Sequence, residues 1–348
     1  MKILVSALEP SSNLHLGSLK QYFPNDVEFV GIFDASFGKP IVDLSQNAIM
    51  GFVDAIKKLP FFFKLKSQMV ELSKSCDKVL LMDSSGFNLP LAKAIKKANP
   101  KIEIIYYILP QAWAWKQKRV VALDKYCDKL LSIIPFEKHI YPNPQKVEFV
   151  GHPLLDQIKN IKNEFTHSNT IAFMPGSRKS EIKSLMPVFR EVCNELKNKN
   201  FLLVVPPKFS DDFISEIYGD IHQFEISRNT HEALLQAEYA FICSGTATLE
   251  AALIGTPFTL CYIAKKFDYF IGSIFVKLNF IGLANIFFEK MGRAKLHDEF
   301  IQENVTAKNL IQSYKNCDLN NFNKNCKDLR VYLQSGSAEN ASKIIMGN

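Results

Sequence analysis

No apolar run in this 348-residue chain approaches the roughly 20 residues that cross a bilayer, so the chain reads as soluble or peripheral rather than integral. The apolar part of the opening MKILVSALEPSS is too short for a secretory leader and reads as a first strand. No GxGxxG is followed by a ribose-binding acid, and there is no Walker phosphate loop; this disfavours a dinucleotide redox cofactor and an NTPase. The seven cysteines, at 76, 127, 193, 243, 261, 317 and 326, lack metal-ligand spacing. Most lie in apolar or helical context, the pattern of reduced thiols in a cytoplasm. Low-complexity tracts are missing, and the only internal likeness is between two α/β halves.

What is present suits two globular domains: length sets that expectation, and 47% apolar residues supply the cores. A formal charge of +7 favours an acidic partner, such as nucleic acid, anionic lipid or a phosphorylated substrate. The bases are dispersed among aromatics, which weighs against nucleic acid.

The most informative stretch runs from Tyr239 to Pro257. Tyr239 to Ile242 reads as a buried strand, and Ser244, Gly245 and Thr246 as a tight turn. Thr246 is a good helix N-cap, Ala247 to Ile254 a helix, and Gly255 with Pro257 its end. Free N–H groups and the dipole at such a helix start favour an anion. Glu250, in the first turn, is placed to accept from ribose hydroxyls, or else is the surface Glu of an ordinary crossover.

The same strand–turn–helix pattern recurs. Lys2 to Ala7 leads into Glu9, Ser11, Ser12 and Asn13, at a strand's carboxyl end, where open α/β sheets bind ligands. Lys78 to Met82 ends in Asp83, a candidate general base and equally a candidate N-cap. Asp156 to Asn169 is polar, without apolar period, and reads as a linker. Thr170 to Met174 then leads into Gly176, Ser177 and Arg178. Gly176 permits close approach of backbone, Ser177 can cap, and Arg178 is suited to phosphate at a helix N-terminus. Between Ile49 and Leu72 a helical pattern broken at Pro60 interleaves Lys57, Lys58, Lys64 and Lys66 with Phe61, Phe62 and Phe63. Three adjacent phenylalanines cannot all face one core stripe, and bases around exposed rings suit an anionic membrane surface. A second aromatic and basic stretch, 264 to 283, fits packing, a membrane face or a dimer interface.

Two Rossmann-like α/β domains facing across a cleft, the glycosyltransferase B type, fit best. Phosphates would lie on Gly176 to Arg178 and the Ser244 turn, and ribose on Glu250. In order along nearly the whole chain, several motifs resemble lipid-A-disaccharide synthases. They are Met50-Gly51, Met82-Asp83 with Phe87-Asn88, Pro110 to Trp115 with Lys118-Arg119, and Pro135-Phe136-Glu137. Phe149 to Pro153, Met174 to Arg178 with Glu181-Ile182, Ser244 to Glu250, and Asn285 complete the set. The resemblance implies an inverting transferase joining UDP-2,3-diacylglucosamine to 2,3-diacylglucosamine 1-phosphate through a β-1,6 bond, with release of UDP and without metal or other cofactor. It implies Asp83 as base, Arg178 at the departing diphosphate, and Glu250 and Asn285 on the nucleotide, with Glu9, Ser11 and Asn13 in the matching first loop. It further implies residues 1–165 as acceptor-side domain, with a helix from 328–348 packed back on it, and 166–327 as UDP-sugar domain. A homodimer exchanging C-terminal segments, on the inner face of a bacterial inner membrane, is also implied.

This sequence departs from the family pattern where Asn13 replaces an Asp, where Ser84, Ser85 and Gly86 replace Ala-Pro-Asp, and where Ala284 replaces a Pro. The first departure shifts the base role to Asp83 or Glu9. The alternatives are another UDP-N-acetylglucosamine-type enzyme, such as an epimerase, and a non-catalytic nucleotide-sugar-binding protein.

Overall fold

A computed structural model describes residues 1–42, 59–114, 117–165, 167–263 and 278–347. Met50, Gly51, Lys57, Lys58, Trp115 and most of the second aromatic stretch lie outside the described residues. The chain divides into two compact units, Met1–Asp156 with Leu333–Asn348, and Gln157–Tyr332.

In the first unit β1 (Lys2–Ala7), β2 (Glu28–Ile32), β3 (Lys78–Met82), β4 (Glu103–Tyr107), β5 (Lys129–Ser132) and β6 (Val147–Phe149) form one parallel sheet, ordered β2-β1-β3-β4-β5-β6. Helices cover both faces, so β1 and β3 are near-continuous apolar runs rather than alternating ones. Ile3, Val5, Leu80 and Met82 pack with Leu16 and Leu19 of α1 (Pro10–Lys20). On the other face Leu4, Val79 and Leu81 meet Leu65 and Met69 of α2 (Leu59–Ser73), and Leu91 and Ile95 of α3 (Ser85–Ala98). α4 (Lys118–Tyr126) adds Val120 and Leu123.

Pro60 does not break α2. It stands in the first turn, where its missing N–H has no helical partner to lose. Phe62 is a correction to the expected membrane-facing set. It is partly buried against the core, its ring 5.9 Å from that of Phe87. Phe61, Phe63 and Lys64 are exposed.

The Trp113 and Pro135–Glu137 motifs converge beneath β5. The Trp113 and Phe136 rings meet edge to face at 5.3 Å. Glu137 is 1% exposed, and one carboxyl oxygen accepts from Ser132 Oγ at 2.5 Å. Its other oxygen, Trp113 Nε1 and the Tyr141 hydroxyl are sealed from solvent and make no hydrogen bond of normal geometry. Burial pushes the Glu137 carboxyl up to about 8, against smaller opposing effects of Ser132 and the nearby indole N–H.

After β6 the chain forms α5 (Pro153–Gln157). The C-terminal segment returns here, ending in α13 (Ser337–Met346). His152 N donates to the carbonyls of Leu333 and Gln334 at 3.0 and 2.9 Å. Gly151, at φ +93°, allows this approach: a Cβ would stand 2.9 Å from the Ser335 carbonyl oxygen. The carboxylate of Asp156 accepts from Gly336 N at 2.6 Å and Ala338 N at 3.3 Å, capping α13 from outside. At the other end Lys78 and Lys129 donate to the carbonyls of Ile345 and Ile344 at 2.7 and 3.2 Å. Both ends of this helix dipole therefore meet opposite charge.

In the second unit β7 (Thr170–Met174), β8 (Asn200–Val204), β9 (Glu225–Ser227), β10 (Tyr239–Cys243), β11 (Phe258–Tyr262) and β12 (Glu299–Ile301) form a parallel sheet ordered β12-β11-β10-β7-β8-β9. Helices α6 (Lys179–Glu195), α7 (Asp211–Tyr218), α8 (Thr230–Gln236), α9 (Thr246–Ile254), α10 (Leu283–Lys290), α11 (Ala307–Lys315) and α12 (Leu319–Leu333) accompany it. Phe173, Phe189 and Phe241 anchor its core. Ile221, in the loop before β9, packs against this core.

Replacing Asp156 with Ala removes the cap on α13 and is expected to cost about 1–2 kcal/mol of stability, read from denaturant midpoints. For Glu137, the folded state keeps a proton that the unfolded chain gives up between about 4.5 and about 8. Its contribution is full below that window and is lost as pH rises through it. Glu137→Gln removes the titration, so its melting temperature should overtake the wild type's near the upper limit; parallel pH curves would refute this.

Candidate active site

In each sheet the strand order reverses at one point, and loops diverge there to leave a ligand position at the strands' carboxyl ends. In the first unit that point lies between β1 and β3. Glu9 follows the one strand and Asp83 the other. Asp83 and Ser84 both adopt left-handed backbone, φ +48° and +34°, a strain non-glycine residues sustain only when the surroundings impose it. Asn88, fully buried in α3, is the imposing group. Its Nδ2 donates to the carbonyls of Met82 and Asp83, each at 3.0 Å, and its Oδ1 accepts from Ser6 Oγ at 2.7 Å. The Tyr106 hydroxyl also donates to the Asp83 carbonyl. Asp83 is thus not the N-cap of α3; Ser84 holds that place, without a side-chain cap bond.

Ser84 Oγ instead donates to Glu9 Oε1 at 2.7 Å, joining the two loops. Burial raises the Asp83 carboxyl to about 6, and the charge of Glu9 adds to the shift. Ser84 N–H and the Arg119 guanidinium pull in the opposite direction. Ser11 is exposed beside Glu9. Asn13 turns inward: Nδ2 donates to the carbonyls of Ala7 and Glu9 at 3.0 and 3.1 Å, and Oδ1 accepts from Asp34 N at 2.7 Å. An ionised Asp has no donor for those two carbonyls, so the amide holds the loop in a way the acid cannot.

In the second unit the reversal lies between β7 and β10. The two turns there treat their helix N-termini differently. Just before α6 two backbone donors are taken. Glu181 Oε2 accepts from Ser177 N at 3.3 Å and Arg178 N at 3.2 Å, and Oε1 accepts from Arg178 Nη1 at 2.7 Å. Gly176, at φ +97°, makes room; a Cβ would lie 2.5 Å from Glu181 Oε2. At α9 the N-cap is Gly245, not Thr246, and no side chain caps it. Ser244 N donates to the Cys261 carbonyl, while Gly245 and Thr246 are exposed. The Arg178 guanidinium lies near enough to pull on the buried Cys243 thiol at the end of β10.

Burial pushes Glu250 up to about 7. His231, on α8, brings Nε2 within 3.0 Å of Glu250 Oε1, at ion-pair distance though off the line of a hydrogen bond. Nothing in the sequence marked this contact, which depends on the packing of α8 against α9. Asn285 differs from the expected nucleotide contact. It is fully buried, its Nδ2 donating to the His297 carbonyl and Glu299 Oε1, and its Oδ1 accepting from Leu296 N and His297 N. Glu299 also accepts from Ile281 N and Gly282 N, so the pair shapes the entry to α10.

A family profile described as lipid-A-disaccharide synthetase matches residues 3–344. The lipid-A-disaccharide synthase of Helicobacter acinonychis is 49% identical, covering 97% of this chain and 95% of its own. That of Campylobacter jejuni is 45% identical, over 98% of each. Among solved structures, UDP-GlcNAc 2-epimerase from Neisseria meningitidis superposes with a TM-score of 0.59 at 11% identity, over all of both chains. The calicheamicin glycosyltransferase CalG4 gives 0.59 at 11%, over 99% and 97%. At such identity these two show the fold alone, the glycosyltransferase B architecture, which epimerases share. Sequence makes the distinction that fold cannot: the chain belongs to the lipid-A-disaccharide synthase family of glycosyltransferases.

Proposed function

We propose that the chain transfers the diacylglucosamine of UDP-2,3-diacylglucosamine to the 6-hydroxyl of 2,3-diacylglucosamine 1-phosphate, with Asp83 as general base. The observation that carries this assignment is the carboxyl held by strained backbone at the β1/β3 reversal, half-buried and raised to about 6. A base with that value is ionised at neutral pH yet takes a proton more readily than an ordinary Asp. Asp83 accepts the 6-hydroxyl proton as that oxygen bonds to the sugar's C1. The C1–oxygen bond to the diphosphate breaks with its electron pair, and inversion gives the β linkage. Glu9, tied through Ser84, keeps the negative field that raises Asp83.

The leaving charge falls on UDP. Arg178 and the uncapped turn from Ser244 to Thr246 supply donors for it, which is stabilisation of charge that grows in the transition state. Gly176 and Ser177 support that site as backbone, since Glu181 already holds the Ser177 N–H. Glu250 accepts from the ribose hydroxyls, and Asn285 acts through the loop it fastens. Phe61, Phe63 and Lys64 form an exposed patch, with Lys66 5.0 Å from the Phe63 ring centroid, suited to a membrane interface where acylated substrates reside. No helix among the described residues is long and apolar enough to cross a membrane.

The direct test is UDP release from the donor with and without the acceptor, in detergent; release without acceptor, or none with it, would contradict the reading. Asp83→Asn should lower kcat by about 10²–10⁴-fold while UDP still binds. The kcat/KM of the wild type should rise with pH through about 6 and level off above it, since only the ionised carboxylate accepts a proton. Changing Phe61 and Phe63 to Ser should reduce flotation with anionic liposomes; unaltered flotation would remove the membrane role.

A further inference from the structure

The Glu181 carboxylate makes more bonds than a helix cap needs. At the third position of α6, a Glu or Gln reaching back to the backbone satisfies the first N–H groups with one acceptor oxygen. Glu181 Oε2 does this with Ser177 N and Arg178 N. Oε1 is spent otherwise, on Arg178 Nη1 at 2.7 Å. The two partners differ sharply in exposure: the Glu181 side chain is 9% exposed and that of Arg178 76%. A buried, fixed anion therefore grips one nitrogen of a cation standing in solvent. The carboxylate packs closely against Gly176: a Cβ there would stand only 2.5 Å from Oε2.

We propose that Glu181 is a positioning residue for glycosyl transfer, holding the Arg178 guanidinium so that its remaining N–H groups face the departing diphosphate. This rests on the reading that Arg178 meets that diphosphate. An exposed Arg samples many rotamers, and transition-state stabilisation is greatest when donors need no reorganisation as charge develops. Glu181 fixes the guanidinium in advance, at a site where it already holds the backbone N–H groups of Ser177 and Arg178.

Glu181→Gln separates positioning from capping, because Gln caps a helix here as well as Glu but has no charge to hold Arg178. The full chain is assayed for UDP release and melting temperature as wild type, Glu181→Gln, Arg178→Ala and the double variant. The expected result is about a tenfold loss of kcat for Glu181→Gln, a smaller change in KM, and an unaltered melting temperature. In the Arg178→Ala background the same substitution should cost nothing further, since interacting residues are not additive. Glu181→Asp, which keeps the charge but withdraws it, should lose kcat to a lesser degree. Wild-type kcat for Glu181→Gln, or an equal loss with and without Arg178, would overturn the positioning role alone. Normal kcat for Arg178→Ala would overturn it together with the diphosphate reading on which it rests.

Discussion

The buried amide of Asn88 ties the end of β3 to β1 through three hydrogen bonds. Two of them go to the carbonyls of Met82 and Asp83 at the left-handed turn. An unsatisfied buried carbonyl costs about 1–3 kcal/mol, comparable to the strain of the turn itself. The turn is therefore stable because the amide is there. It swings the Asp83 side chain away from the capping place, brings Ser84 onto Glu9, and leaves the carboxyl half-buried. The raised affinity of Asp83 for a proton thus begins with a neutral side chain buried in α3.

The second unit has a different strand order, β12-β11-β10-β7-β8-β9, but it too reverses once. Under the proposed function the first unit needs a carboxyl eager for protons, and the second needs donors for a diphosphate. At the β7/β10 reversal one helix start is filled by an internal carboxylate and the other is left without a side-chain cap. The filled one presents a cation, the unfilled one presents backbone and dipole. The two neighbouring turns thus differ in how their backbone donors are used.

Strand–turn–helix units were legible because buried parallel strands are short apolar runs and their turns use small residues, as in Ser244 to Thr246. Asp83 was legible as a carboxylate at a strand end, but cap and base could not be told apart, since the choice depends on Asn88 and Tyr106 folding over the turn. Asn13 looked like a weakened acid; its amide donates twice, which only the placed loop reveals. The Lys–Phe stretch was right in exposure for Phe61 and Phe63, whereas Phe62 falls on the core face with Leu65 and Met69, by ordinary helical spacing. His231 was invisible because its partner Glu250 comes from another helix. Contacts set by how elements pack carry no local signal.

The return of the C-terminal segment sets the order in which the molecule is made. Asp156 waits for Gly336, 180 residues later in the chain, and the sheet face bearing Tyr107, Leu131 and Val150 waits for Ala338, Ala341 and Ile345. At synthesis rates of roughly 5–20 residues per second, that face stays uncovered for about ten seconds or more. The second unit, continuous in sequence, can close in the meantime. The part of the protein begun first is completed last, and its open apolar face is what a nascent-chain chaperone would find.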